Sequence, residues 1–341
     1  MKPTVHDIAA HAGVSLATVD RVLNDRPGVR EVTRVKVEES ISALGFVRDV
    51  NAANLAKSRS YSFVLILPTG NNSFMEALRA EAMEAAQRAK FERTSIRIVD
   101  VRAFDAKSLA AILDGLAEER PDGVALVAVE SPVVAAAIDR LAEQGIACVT
   151  LVSDLLGSKR VHYAGIDNLA AGRTAASLLG RFLRDRRGSV AVLAGSMLVR
   201  DHRERLEGFS AVLNTEFPKL NILPILEGWD EPERAERMVS SALGEHRNIL
   251  GLYSLGAGNR GLVRAISARS EGEHISVIVH ELTNTTREAL KSGVIDAVLN
   301  QDPGHEIRSA IRVLTAKADN LQIVAAQERI RLDIFLRDNL P

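Results

Sequence analysis

From residue 61 onward, short apolar runs alternate with longer amphipathic stretches, and no other feature of the 341-residue chain restricts its fold so strongly. FVLILP (63–68), SIRIVD (95–100), GVALVAV (123–129), ACVTLV (147–152) and the shorter HYAGID (162–167) form a first series. SVAVLAG (189–195), NILPIL (221–226), ILGLYSL (249–255), SVIVHE (276–281) and DAVLNQ (296–301) form a second. Runs this short, apolar on both faces, are what buried parallel strands require, and stretches such as 75–90, 107–119 and 133–144 have helical period. Nine or ten strand–helix repeats give an α/β fold of doubly wound parallel sheets, in two series of comparable length rather than one eightfold ring.

The first sixty residues have a different texture. In TVHDIAAHAGVSLATVDRVLN (4–24), Val5, Ile8 and Ala9 fall at helical spacing, Thr4 and Asp7 make a capping pair, and Gly13 stops the helix. Ser15 can cap a second short helix with Val19 and Val22 inward, leaving Leu16, Ala17, Asp20 and Arg21 outside. A third helix over about 31–44 presents Val37, Ile41 and Leu44 on one face and stops at Gly45. Two short helices around a glycine turn suit a helix-turn-helix, whose second helix fits the major groove of DNA, although a plain αα-hairpin has the same outline. Charge agrees only weakly: residues 1–60 hold nine lysines and arginines against seven acids, while the whole chain is at −1. So modest a basic excess calls for two heads on one operator. Residues 49–60, DVNAANLAKSRS, have too few apolar side chains to fold alone; a plain linker and a hinge that orders on DNA both fit.

The wording of this stretch, DIAAHAGVSLATVDRVLN continued by PGVREVTRVKVEESISALGFVRDVNAANLAKS, resembles the start of the lactose-repressor (LacI/GalR) family of bacterial regulators. The resemblance implies an all-α headpiece over 1–48, a hinge helix over 49–60, and a sugar-binding, dimerising body over 61–341. It puts Leu16, Ala17 and Arg21 at base edges and a wedging leucine at Leu55, with Thr4, Ser15, Thr18, Asp20, Asn24 and Asn51 as further DNA contacts. The chemistry suits those places, since an arginine can fork onto guanine and leucine can open a base step. Two departures stand out: Arg30 replaces the usual hydroxyl cap before the third helix, and TVDRV replaces TVSRV. The second puts Asp20 beside the DNA backbone, where it can accept from a cytosine amine or pair with Arg21.

The two strand series resemble periplasmic sugar-binding proteins, in which two lobes close over a ligand. The chain would cross between lobes near 167–168, again before about 299–302, and finally around 322–336. In such sheets ligands bind beyond the carboxyl ends of the strands. GNNSFM resembles the NNPFF segment of ribose-binding proteins, RERLEGF their RERGEGF, and VIVHELT and VLNQDP the strand ends that supply an acid and a glutamine. The ligand-contacting set is then Asn72, Phe74, Met75, Ser153, Asp154, Arg203, Arg205, Trp229, Asn259, Glu281 and Gln301. Polar groups for vicinal hydroxyls and aromatic rings for an apolar face suit a small sugar or polyol. Ser153-Asp154 departs from the usual Asp-Arg, and Met75 replaces an aromatic. Several have quieter readings: Phe74 as core, Arg203 paired with Glu207, Asp167 as a helix cap.

GAGNRG (256–261), with Glu281 twenty residues on, is on paper the dinucleotide fingerprint of an NAD-dependent oxidoreductase. Its place on the third strand of a second series argues against that, and close approach of the helix start to a bound sugar is the better use of the glycines. A sugar-binding protein that does not touch DNA is the other alternative. No catalytic nucleophile, metal set or cofactor is expected; HELTN and HEIRS lack a second histidine, and one cysteine cannot build a zinc cluster. Cys148 reads as a small buried residue. There is no charged-then-apolar leader and no membrane-length apolar run, so a cytoplasmic protein is expected, with no membrane partner. DIFLRDNLP carries no heptads, so the expectation is a homodimer on operator DNA rather than a tetramer.

Overall fold

The computed structural model describes residues 3–23, 26–46, 60–269 and 274–341 and separates into two compact units, Met1–Arg59 and Ser60–Pro341. Asn24, Asn51, Leu55 and all of the connecting segment 49–60 except Ser60 lie outside the described residues.

In the smaller unit three helices, α1 (Val5–Ala12), α2 (Leu16–Leu23) and α3 (Glu31–Leu44), enclose a core of Ile8, Ala9, Val19, Val22 and Val37. Thr4 and Asp7 form a reciprocal capping box, and Gly13 takes the left-handed conformation that turns the chain. Ser15 Oγ accepts from Thr18 N at 3.2 Å and so starts α2. Arg30 makes no side-chain cap at α3, as its chemistry dictates, and Val5 is exposed rather than part of the core.

The larger unit holds two parallel-sheet lobes. The first sheet runs β2 (Thr94–Arg102), β1 (Tyr61–Thr69), β3 (Gly123–Leu126), β4 (Ala147–Leu151), β5 (His162–Ala164), all parallel. One face packs α5 (Ala106–Glu119) and α6 (Pro132–Glu143), the other α4 (Ser73–Ala89) and α12 (Pro303–Ala318). Coverage on both faces is why β1 reads as an unbroken apolar run: Phe63, Leu65 and Leu67 enter one core while Val64 and Ile66 enter the other.

In the second sheet β11 (Ala297–Asn300), β10 (Ser276–His280), β9 (Ile249–Ser254), β6 (Gly188–Ala194) and β7 (Leu220–Ile222) follow one another in parallel, with β8 (Leu226–Glu227) also on β6. Helices α7 (Asn168–Leu183) and α8 (Arg200–Glu216) cover one face; α9 (Pro232–Glu245), α10 (Asn259–Ser267) and α11 (Asn284–Ser292) cover the other. The chain crosses between β5 and α7, between β11 and α12, and from α12 back to β12 (Asp333–Phe335).

Three differences from the sequence reading have local causes. NILPIL is two short strands, because Pro224 between them has no N–H for the ladder. GVALVAV leaves the sheet after Leu126, and Val127–Val129 runs on beside the cleft. β12 is an antiparallel edge strand on β11 whose half-buried pattern gives no apolar signal. Cys148 is buried, and burial pushes its thiol up to about 12, so it stays protonated and inert.

Candidate functional site

In the larger unit the carboxyl ends of strands from both lobes line one cleft of about 580 Å³. Asn72, Phe74, Met75, Ser153, Arg205, Trp229, Asn259, Glu281 and Gln301 line it; Asp154 and Arg203 do not. Asp154 is held by Arg160, by Thr150 Oγ1 at 2.8 Å and by Leu155 N at 2.8 Å, which ties down the loop after β4. Arg203 pairs with Glu130 across the lobes rather than with Glu207.

The floor is built on α8, packed closely against α7. A Cβ on Gly172 would fall 2.0 Å from the Arg205 carbonyl oxygen, and one on Gly208 2.1 Å from that of Leu169, so only glycine permits this approach. Arg205, 3% exposed, donates through Nε to Asn168 Oδ1 at 2.8 Å and through Nη1 to the Leu255 carbonyl at 2.8 Å. Asn168 in turn donates to Tyr163 Oη at 3.0 Å, linking the arginine to the first lobe at the crossover. Arg205 Nη2 lies 3.9 Å from Glu281 Oε1 and has no hydrogen-bond partner. Gln301 Nε2 donates to Glu281 Oε1 at 2.9 Å. Burial outweighs the pull of Arg205 and Gln301 and raises the Glu281 carboxyl to about 7. The same burial, aided by Arg205 and His202, holds His280 well below its usual range, so it is neutral.

Five non-glycine residues lining the cleft, Phe104, Val152, Trp229, Asp230 and Glu281, have positive φ between 56° and 71°. Backbone so disfavoured persists where packing over-determines it, a pattern that gathers at ligand sites. Polar atoms behave similarly: Ser153 Oγ, Asp201 Oδ1, Arg205 Nη2, His280 Nδ1 and Gln301 Oε1 are buried on lining residues without a partner. Each such group costs about 1–3 kcal/mol until something bonds it.

Contacts across the mouth hold the lobes together. Asn72 caps α4 and donates to Asp230 Oδ2 at 2.8 Å, Arg260 donates to the Asn71 carbonyl at 3.1 Å, and Phe104 meets Trp229 edge-on with ring centroids 5.8 Å apart. Sequence reasoning missed Phe104, Asp201, His202 and His280. Phe104 follows β2, where the strand-end rule would have found it, and Asp201 lies one turn before Arg205 on the same helix face. Asn259 spends its side chain internally, accepting from Ser254 Oγ at 2.7 Å and donating to the His280 carbonyl at 3.0 Å. In GAGNRG, a Cβ on Gly261 would sit 1.8 Å from the Pro232 carbonyl oxygen, so this glycine serves the packing of α10 on α9.

In the smaller unit Leu16, Ala17, Asp20 and Arg21 are exposed on α2, while Thr18 bonds Ser15 and Thr4 bonds Asp7. Asp20 pairs with Arg26 at 3.3 Å rather than with Arg21.

Comparison with known proteins agrees with both units. The family model for the periplasmic binding protein domain matches residues 63–322, and that for bacterial regulatory proteins of the lacI family matches residues 4–49. The chain is 26% identical over 210 residues to the HTH-type transcriptional regulator DegA of Bacillus subtilis, covering 61% of this chain but only 60% of DegA. It is 26% identical over 294 residues to the regulator pepR1 of Lactobacillus delbrueckii subsp. lactis, covering 84% of each. Among solved structures, a glucose-galactose binding protein from Geobacillus stearothermophilus matches with a TM-score of 0.74 at 20% identity, over 83% of this chain and 99% of that one. A solute-binding protein from Burkholderia graminis, solved with D-arabinose, matches with a TM-score of 0.74 at 23% identity, over 82% and 96%.

Proposed function

Because the chain belongs to the lacI family of bacterial regulatory proteins, and so is a helix-turn-helix DNA-binding transcriptional regulator, we propose that it is a homodimeric repressor whose grip on a palindromic operator is set by a small sugar or polyol in the cleft. A headpiece over 1–48 reads the operator, with Leu16, Ala17 and Arg21 at base edges. Residues 49–60 transmit the signal, and 61–341 bind the effector and the second copy. One observation carries the sugar reading: the buried groups of the cleft floor, Asp201, Arg205 and Gln301 among them, have donors and acceptors left over, as an alternating array of hydroxyls would need.

A ligand that favours one arrangement of the lobes changes how two connecting segments are held, and through them DNA affinity. Such a regulator works in the cytoplasm, where its operator is; no helix among the described residues is long and apolar enough to cross a membrane. The relatives named above are regulators, and no reaction is proposed. Selection from a random duplex pool tests the DNA half: a palindrome is expected, and enrichment of a single unrepeated half-site overturns the dimer. A thermal-shift screen of sugars and polyols tests the other half, because a true effector raises the melting temperature as ln(1 + [L]/Kd).

A further inference from the structure

Resting on the sugar reading, we propose that the effector is amphiphilic, a hydroxylated ring whose polar edge meets the second lobe and whose apolar arm, a deoxy carbon or an alkyl or aryl substituent, lies against the first. The two walls of the cleft differ in chemistry. Buried lining residues of the first lobe are Phe74, Val101, Leu109, Val127, Ala128, Val129 and Val152, all at most 9% exposed, with Ser153 the polar one. Those of the second are mostly polar, Asp201, His202, Arg205, His280, Glu281 and Gln301 among them, with Val199 and Pro232 the apolar side chains.

The unpartnered atoms follow the same division. Among the cleft-lining residues, Asp201 Oδ1, Arg205 Nη2, His280 Nδ1 and Gln301 Oε1 belong to the second lobe and Ser153 Oγ to the first. Two polar side chains of the first lobe near the mouth are already engaged, Asn72 by the start of α4 and by Asp230, and Asp105 by the backbone and hydroxyl of Ser108, while Arg102 and Lys107 are exposed to solvent. A ring bearing hydroxyls on every side would press some of them onto aliphatic carbon with nothing to bond. Space allows such a ligand, since a cleft of about 580 Å³ lies within the range of pockets that take drug-sized molecules.

Isothermal titration of the full chain with matched pairs tests this. D-glucose, D-galactose, D-mannose and D-xylose are each compared with their methyl and phenyl β-glycosides, and the hexoses with their 6-deoxy forms. The expected result is that, within the pairs that bind, the apolar member binds more tightly, by about fourfold for each carbon newly buried. Val129→Thr, which puts a hydroxyl on the apolar wall, should bring that ratio below about twofold on the same scale; Val101→Thr serves if the first variant melts early. Parent sugars binding as well as their partners in every pair, or a ratio unmoved by the substitution, overturn the amphiphilic effector and leave a plain sugar reading standing. If no member of any pair binds, both fall together.

Discussion

The headpiece displays Leu16, Ala17 and Arg21 in the open on α2, above a core to which they contribute nothing, whereas the larger unit buries Arg205, Glu281 and Gln301 in a network where each holds the next. Exposed groups of this kind can change without disturbing the fold beneath them, and buried charges cannot. Recognition and stability should therefore separate in one unit and be coupled in the other.

The largest expected effect tests that coupling directly. Arg205→Ala removes the cation nearest the buried Glu281 and leaves Asn168 and the Leu255 carbonyl without their donor. Urea unfolding should show a loss of about 3–5 kcal/mol, the usual consequence of stranding one member of a buried pair, together with loss of the sugar-dependent thermal shift. Full stability with binding alone abolished would break the contrast between the units.

Next in size is the dependence on pH, where the units should show opposite signs. Glu281, raised to about 7 from 4.5, holds its proton more tightly folded than unfolded. Its environment therefore leaves the fold most stable below about 4.5 and weakens it as pH climbs towards 7, by roughly 3 kcal/mol in all. Glu306, raised well above the usual range by burial and by Glu281, adds to the same trend. In the headpiece Asp7 is lowered, by the backbone and then the hydroxyl of Thr4. That contribution is present above the unfolded pKa and is lost as pH falls through the folded one. Urea midpoints of the larger unit at pH 5 and pH 8 should therefore differ, and Glu281→Gln should reduce the difference; an unchanged difference would remove Glu281 as its source.

Arg21→Ala sharpens the comparison from the other side. Losing a bidentate fork to guanine should weaken operator binding by about 1–3 kcal/mol, roughly five- to 150-fold, and relax preference at one base pair. Melting should not move.

How far the chain could be read before folding follows the same line between local and distant causes. The capping box of Thr4 and Asp7, the turn at Gly13 and the inward Val19 and Val22 are set within four residues of themselves, so they are visible in the string. Strand–helix alternation is equally local, and it carries both lobes. What the sequence conceals is pairing across long separations. Asn72 meets Asp230 158 residues away, Arg203 finds Glu130 73 residues back, and Asn168 steadies an arginine 37 residues later. Spacing rules stop at one or two helical turns, so Arg203 read as a ligand contact or a partner of Glu207, and Asn259 as a donor to the ligand. Small residues that bring α7 against α8 left no sign either, because a glycine inside a helix looks like a propensity fault until its neighbour is known.

The smallest effect asks whether the headpiece is as separable as its exposed face suggests. Thr4→Ala deletes the hydroxyl that accepts from Asp7 N and donates to Asp7 Oδ2 at 2.8 Å, and with it one side of the box that starts the eight-residue α1. Removing such a cap weakens a helix by about 1 kcal/mol, which in a domain of this size lowers melting by about 4–8 °C. Thr4→Ser, which keeps the hydroxyl, should restore most of it. The transition of the larger unit should not shift, since the cap that Thr4 makes lies wholly within the smaller unit. Were both transitions to move by equal amounts, the two compact units would unfold as one, and the division between an exposed reading face and a buried sensing floor would not extend to their energetics.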